Sequence, residues 1–142
     1  AFVEGVGEAM QPVPGPDCWY VVIEPGVSVP TPAIFTAEDL TRDTKPIRIA
    51  DFPAAHLLSE FGKNDLQAVA SRLFPPVAEA IEWLGQYGAA RMTGSGACVF
   101  CAVPGEAEAD RVLGEVPTAW RAWKARSLQS HPLKSLLQNN EL

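Results

Sequence analysis

The period of apolar and polar positions changes several times along this 142-residue chain, and each change marks an element. Ala1 to Glu8 alternates apolar with small or polar residues, which predicts a strand, one that begins mid-fold. Pro12, Pro14, Gly15 and Pro16 make a turn region. The aromatic and β-branched run Trp19-Tyr20-Val21-Val22-Ile23 predicts a buried strand, which Pro25-Gly26 stops. Ser28 to Pro32 holds two prolines and cannot be a regular strand, because neither ring nitrogen donates. Thr31 before Pro32 fits a helix opening, with Thr at the N-cap and Pro at the first helical position. A short helix over Pro32 to Glu38 follows, and the charge mix and Pro46 between Leu40 and Phe52 predict a connecting loop.

The second half is more regular. Asn64 or Asp65 caps a helix whose stripe is Leu66, Val69, Ala70 and Leu73. Pro75-Pro76 ends or kinks it. Val77, Ala80, Ile81 and Leu84 repeat the spacing in a further helix, with Gly85 and Gly88 near its exit. Ala97 to Val103 is continuously apolar and predicts a strand covered on both faces or nearly so. Glu106 to Glu115 predicts a helix with Ala109, Val112 and Leu113 on one face, and Trp120 to Leu128 a last strand. The order β, β, α, α, α, β, α, β points to an α+β sandwich, with helices on one face of a mainly antiparallel sheet.

Composition narrows the function classes. The length fits one domain, with 47% hydrophobic residues to build a core. A formal net charge of -6 disfavours a general nucleic-acid or anionic-membrane binder, since both need a basic face. No apolar run approaches the roughly 18 residues of a membrane span, and no signal peptide is visible. Three cysteines (Cys18, Cys98 and Cys101) argue against a disulfide framework and for the cytoplasm. Cys98 and Cys101 have C-x-x-C spacing, but residues three apart on a strand face opposite sides, so small buried hydrophobes are the better reading than a metal pair. His56 and His131 belong to no Ser/His/Asp grouping. Glu38 and Asp39 read as a solvated helix end, and Trp120 and Trp123 as packing or covering an edge.

Two strings are candidates for chemistry. In Thr93-Gly94-Ser95-Gly96 the glycines let backbone N–H groups approach a ligand, and two hydroxyls are at hand. A tight turn needing positive φ explains the same string, and pattern alone favours it. In Gly26 to Phe35, a helix opening with a hydroxyl suits polar ligand groups, and Phe35 one turn on could stack on a planar base. An ordinary cap with Phe35 in the core is the reading that local pattern favours.

Four strings together carry a resemblance: Ala1 to Glu8 (AFVEGVGE), Pro25 to Pro32 (PGVSVPTP), Lys63 to Leu66 (KNDL) and Thr93 to Phe100 (TGSGACVF). Their order and spacing resemble the diphosphocytidyl-methylerythritol kinases of the GHMP superfamily over nearly all of residues 1–142. The resemblance implies the carboxy-terminal, substrate-side domain of such a kinase, a ferredoxin-like α+β sandwich. It implies transfer of the ATP γ-phosphate, with Mg2+, to the 2-hydroxyl of 4-diphosphocytidyl-2-C-methyl-D-erythritol in non-mevalonate isoprenoid synthesis. The phosphate-cradling loop, a lysine and the catalytic aspartate would come from an amino-terminal domain preceding Ala1. No catalytic residue and no metal ligand is therefore expected in this chain, and neither ATP nor turnover is expected of it alone.

The resemblance carries over substrate contact. Gly94, Ser95 and Gly96 match a motif supporting the cleft near the phosphate loop. Thr31 and Pro32 match positions beside the methylerythritol diphosphate, and Phe35 an aromatic stacking on cytosine. Glu24 stands where some relatives carry histidine and is assigned no role. The expected partners are that substrate and the amino-terminal domain, with no nucleic acid and no membrane. Self-association through an uncovered domain face is a further expectation. The alternative is a stand-alone ferredoxin-like ligand-binding or regulatory module, which the gene upstream of Ala1 would distinguish.

Overall fold

The computed structural model describes residues 2–4, 9–11, 17–45, 62–94, 96–128 and 133. Its first elements are β1 (Phe2–Glu4) and β2 (Ala9–Gln11), paired antiparallel with Val3 opposite Met10. The single strand expected over Ala1 to Glu8 is thus the first arm of a hairpin. Then come β3 (Trp19–Glu24), α1 (Thr31–Phe35), α2 (Leu66–Leu73), α3 (Pro75–Gly85), β4 (Ala90–Met92), β5 (Val99–Val103), α4 (Glu106–Glu115) and β6 (Arg121–Arg126).

The last four strands form one antiparallel sheet in the order β4-β5-β3-β6. β3 and β5 are central, and each helical crossover delivers a strand to an edge, which is the ferredoxin-like arrangement. Val21 faces Cys101 and Ile23 faces Val99. These four, with Val103 and Met92, are buried against the helices. The intervening Tyr20, Val22, Phe100 and Ala102 are half-buried on the other side, where the Tyr20 and Phe100 rings meet edge to face at 6.0 Å. Of the expectation that Ala97 to Val103 is covered on both faces or nearly so, the weaker form holds: one face is buried and the other half-buried. Burial alternates along β5, as it does when an antiparallel sheet carries helices on one side. An all-apolar run hid that alternation.

The helices follow the predicted stripes. Val69 and Ala70 of α2, Val77, Ala80 and Leu84 of α3, and Ala109 and Val112 of α4 fill the core. Leu73 departs from its stripe and is exposed, at the last residue of α2 before the helix ends at Phe74. Pro75 and Pro76 then open α3, where a missing N–H costs no helical bond. Glu106 and Glu108 sit in the first turn of α4, favourable beside the positive end of its dipole. Trp120 packs edge-on against Trp83 at 6.0 Å, whereas Trp123 is exposed.

Candidate functional site

The site is built around α1 and the loop between β4 and β5. Three apolar anchors hold the α1 segment: Val29 before it, Ile34 within it and Leu40 after it, all buried. Ile34 points fully inward, so its neighbour Phe35 is turned outward and is 48% exposed. Phe35 is therefore not a core residue, although local pattern favoured one. The helix opens one residue earlier than expected. Pro30 is the N-cap, Thr31 lies inside the first turn, and the side chain of Pro30 caps nothing. Instead Thr36 closes the turn, its N–H (3.0 Å) and its hydroxyl (2.8 Å) both donating to the Pro32 carbonyl. Asp39 accepts two bonds from Arg72 of α2, at 2.7 and 2.8 Å, which ties the segment to the helix layer. That side-chain bonding holds the Asp39 carboxyl below its usual range. Asp39, expected at a solvated helix end, is thus half of an exposed bidentate ion pair.

The loop is shaped by its glycines. Gly94 has φ +58° and Gly96 φ +108°, both left-handed and both costly for other residues. A Cβ on Gly96 would sit 3.1 Å from Val29 Cγ2 and 3.2 Å from Met92 Sδ. The glycine therefore lets the loop lie directly on the α1 segment. The Thr93 N–H donates to the Cys98 carbonyl at 2.9 Å, and the Gly96 N–H to the Thr93 carbonyl at 3.2 Å. The turn reading and the ligand reading of this string are compatible in such a geometry. Ser95 lies outside the described residues.

Two depressions result. A groove of about 720 Å³ is lined by Phe35, Leu40 to Arg42, Lys63 to Leu66, Arg91 to Gly94 and Phe100. Beside it, a cleft of about 410 Å³ lies between Glu24, Gly26 to Val29 and Gly96 to Cys98. Phe35 and Gly94 thus share one groove and Gly96 borders the second, while Thr31 and Pro32 are exposed and line neither. Among the described residues the groove carries Arg42, Lys63 and Arg91 against one carboxylate, Asp65. The Thr44 hydroxyl, and then Lys63 at 3.1 Å, hold that carboxyl below its usual range. In a chain of net charge -6, this is a cationic groove lined also by an exposed aromatic ring. Such a site suits an anion that bears a planar group.

Sequence reasoning did not find Arg42, Lys63 and Arg91 as groove residues, because cations at three separate places in the chain leave no local pattern. Lys63 and Asn64 lay in a recognised string, yet nothing local said what they faced. Burial pushes the Cys101 thiol up, and burial followed by the nearby Glu24 does the same to Cys98, so neither is an activated nucleophile. Among the described residues no three His, Cys, Asp or Glu side chains converge on a metal position. His56 and His131 lie outside the described residues. No helix among them is long and apolar enough to cross a membrane.

Comparison with known proteins adds a family to this geometry. Several bacterial proteins named 4-diphosphocytidyl-2-C-methyl-D-erythritol kinase are similar to the chain. The protein from Janthinobacterium sp. (strain Marseille) is 63% identical over 139 residues, which is 98% of this chain and 47% of that protein. The one from Herminiimonas arsenicoxydans is 59% identical over 136 residues, again 47% of its length. The chain therefore spans about half the length of the curated relatives it matches. A crystal structure of 4-(cytidine 5'-diphospho)-2C-methyl-D-erythritol kinase superposes with a TM-score of 0.64 at 28% identity, covering 89% of this chain and 48% of that one. Residues 52–122, half of the chain, match the model of the family described as GHMP kinases C terminal, and the chain belongs to that family.

Proposed function

We propose that this chain is the substrate-side domain of an ATP-dependent kinase that phosphorylates the 2-hydroxyl of 4-diphosphocytidyl-2-C-methyl-D-erythritol. The observation that carries the reading is the groove: the exposed Phe35, the Thr93-Gly94 turn and the cations Arg42, Lys63 and Arg91 line it together. A cytidine diphosphate ester offers a planar base for the ring and a diphosphate for the cations. The names of the relatives and the family membership support the same substrate class and disfavour the stand-alone module.

The division of labour follows from what the chain holds. Phosphoryl transfer asks for positioning and charge neutralisation more than for covalent chemistry. Phe35 would stack on the cytosine. Thr31, Pro32 and the Gly94-Ser95-Gly96 loop would border the methylerythritol diphosphate and the cleft near the transferred phosphate. The family membership, and relatives about twice the length of this chain, support assigning ATP, Mg2+ and the base to an amino-terminal domain of the same cytoplasmic enzyme. Mixing the purified 142-residue chain with ATP, Mg2+ and the diphosphocytidyl substrate should give no phosphorylated product by mass spectrometry. The full-length enzyme carrying this domain should give it. Turnover by the chain alone would overturn the assignment.

A further inference from the structure

We infer that Asn64 is the positioning residue that sets the Thr93–Gly96 loop. Asn64 precedes Asp65, the N-cap of α2, and its side chain makes three hydrogen bonds in two directions. Its Nδ2 donates to the Met92 carbonyl at 3.0 Å and to the Gly94 carbonyl at 2.7 Å. Its Oδ1 accepts from the Leu66 N–H at 3.0 Å. The amide orientation is unambiguous on chemical grounds: reversed, an oxygen would face two carbonyls and an NH2 would face an N–H. One turn on, Gln67 Oε1 accepts from the Met92 N–H at 2.9 Å. The end of β4 and the start of the loop are thus gripped through C=O by Asn64 and through N–H by Gln67 in the first turn of α2.

This grip falls where the loop most needs it. A Cβ on Gly94 would meet nothing within 4 Å, so no side chain packs against that side of it. A glycine there is free to leave φ +58° for many other conformations. Asn64 counters that freedom at the Gly94 carbonyl itself, in the groove that Phe35 also lines. Local sequence pattern offered Asn64, or Asp65, as a helix cap, and Asp65 takes the N-cap position. The bond to the Leu66 N–H does serve the helix, but the two donors serve the loop.

Substitutions separate the two roles. Asn64→Asp keeps an acceptor for the Leu66 N–H and removes both donors. Asn64→Ser keeps a short acceptor, cannot span to the loop carbonyls, and brings no charge against them. Asn64→Ala removes everything. Amide hydrogen exchange on the 142-residue chain reads the grip directly. Asn64→Ser and Asn64→Asp should speed exchange at the Thr93 and Gly96 amides by about tenfold or more, with Val21 to Ile23 unchanged.

The catalytic consequence rests on the proposed kinase reading. In the full-length enzyme, Asn64→Asp and Asn64→Ser should lower kcat/KM at least as far as Asn64→Ala, by about tenfold. If exchange in the loop and kcat/KM stay as wild type for Asn64→Ser and Asn64→Asp while Asn64→Ala is defective, Asn64 is a helix cap only and the inference is overturned. Gly94→Ala, which alters the loop alone, tests the reading itself. Unchanged kinetics there would remove the substrate-wall role, and the exchange result would still decide the grip.

Discussion

The sheet has two edge strands, β4 and β6, and different chemistry holds each. β6 is six residues long and charged. Its Lys124 reaches Glu106 at 2.8 Å and Asp110 at 2.7 Å on α4 and lies over the Trp19 ring at 5.7 Å, and Arg126 approaches Asp17 at 3.5 Å. These are exposed ion pairs between long side chains, which tolerate small displacements and are weakened by salt. β4 is three residues long and is gripped through its backbone by the amides of Asn64 and Gln67. Such bonds weaken steeply with distance and angle, so they fix a position. The charged edge is also a deterrent to strand addition, whereas the short edge continues into the loop that borders the groove. Tolerance is found where the molecule meets water, and precision where a ligand is proposed to sit.

Core substitution on the short edge should break this difference most severely. Met92 is 2% exposed, so Met92→Ala should cost about 2–5 kcal/mol in chemical denaturation. Trp123→Ala on the charged edge, where the ring is 44% exposed, should cost far less. Equal losses would mean that β4 owes its position to the same loose contacts as β6.

The second contrast lies within the loop. Gly96→Ala places a methyl 3.1 Å from Val29 at φ +108° and should destabilise by about 1–3 kcal/mol. Gly94→Ala meets nothing and carries only the left-handed penalty, about 1–2 kcal/mol. A Gly96→Ala protein as stable as wild type would show that the loop does not rest on the α1 segment.

The smallest effect belongs to the ion pairs. Asp110, and then Glu106, raise the Lys124 ammonium above its ordinary value. A raised value stabilises the fold at pH below the unfolded value of 10.5, and the contribution is lost as pH climbs through the folded one. Lys124→Met should therefore lower Tm slightly at neutral pH in low salt. The difference should shrink in about 1 M salt and above the unfolded value. A salt-independent difference would locate the effect in packing over Trp19.

Much of the architecture was legible because it rests on local periodicity. The stripes of α2, α3 and α4 need only apolar residues at helical spacing, and β3 and β5 need only short apolar runs between turn residues. β4 was not legible: Ala90-Arg91-Met92 has weak strand propensity and is a strand because β5 pairs with it. β2 was hidden by its shortness. Within the site, the glycines announced a special backbone, but they did not say that Gly96 lies against Val29. The Asn64 bonds span 28 and 30 positions and the Asp39–Arg72 pair 33, so no window along the chain contains both partners. Phe35 shows the same limit at short range. Local pattern placed it inside, and only the full burial of Ile34 beside it turns it out.

The exposed ring of Phe35 is the most direct point at which to test the account. The measurement is the substrate KM of the full-length enzyme with and without Phe35→Ala, taken beside the KM for ATP. Loss of the proposed stacking on the cytosine, roughly 1–3 kcal/mol, predicts a rise of about tenfold or more in the KM for the diphosphocytidyl substrate. The KM for ATP should be unchanged, and the folding stability should move by no more than about 0.5 kcal/mol. An unchanged KM and kcat for the diphosphocytidyl substrate would contradict the assignment of this groove to substrate binding.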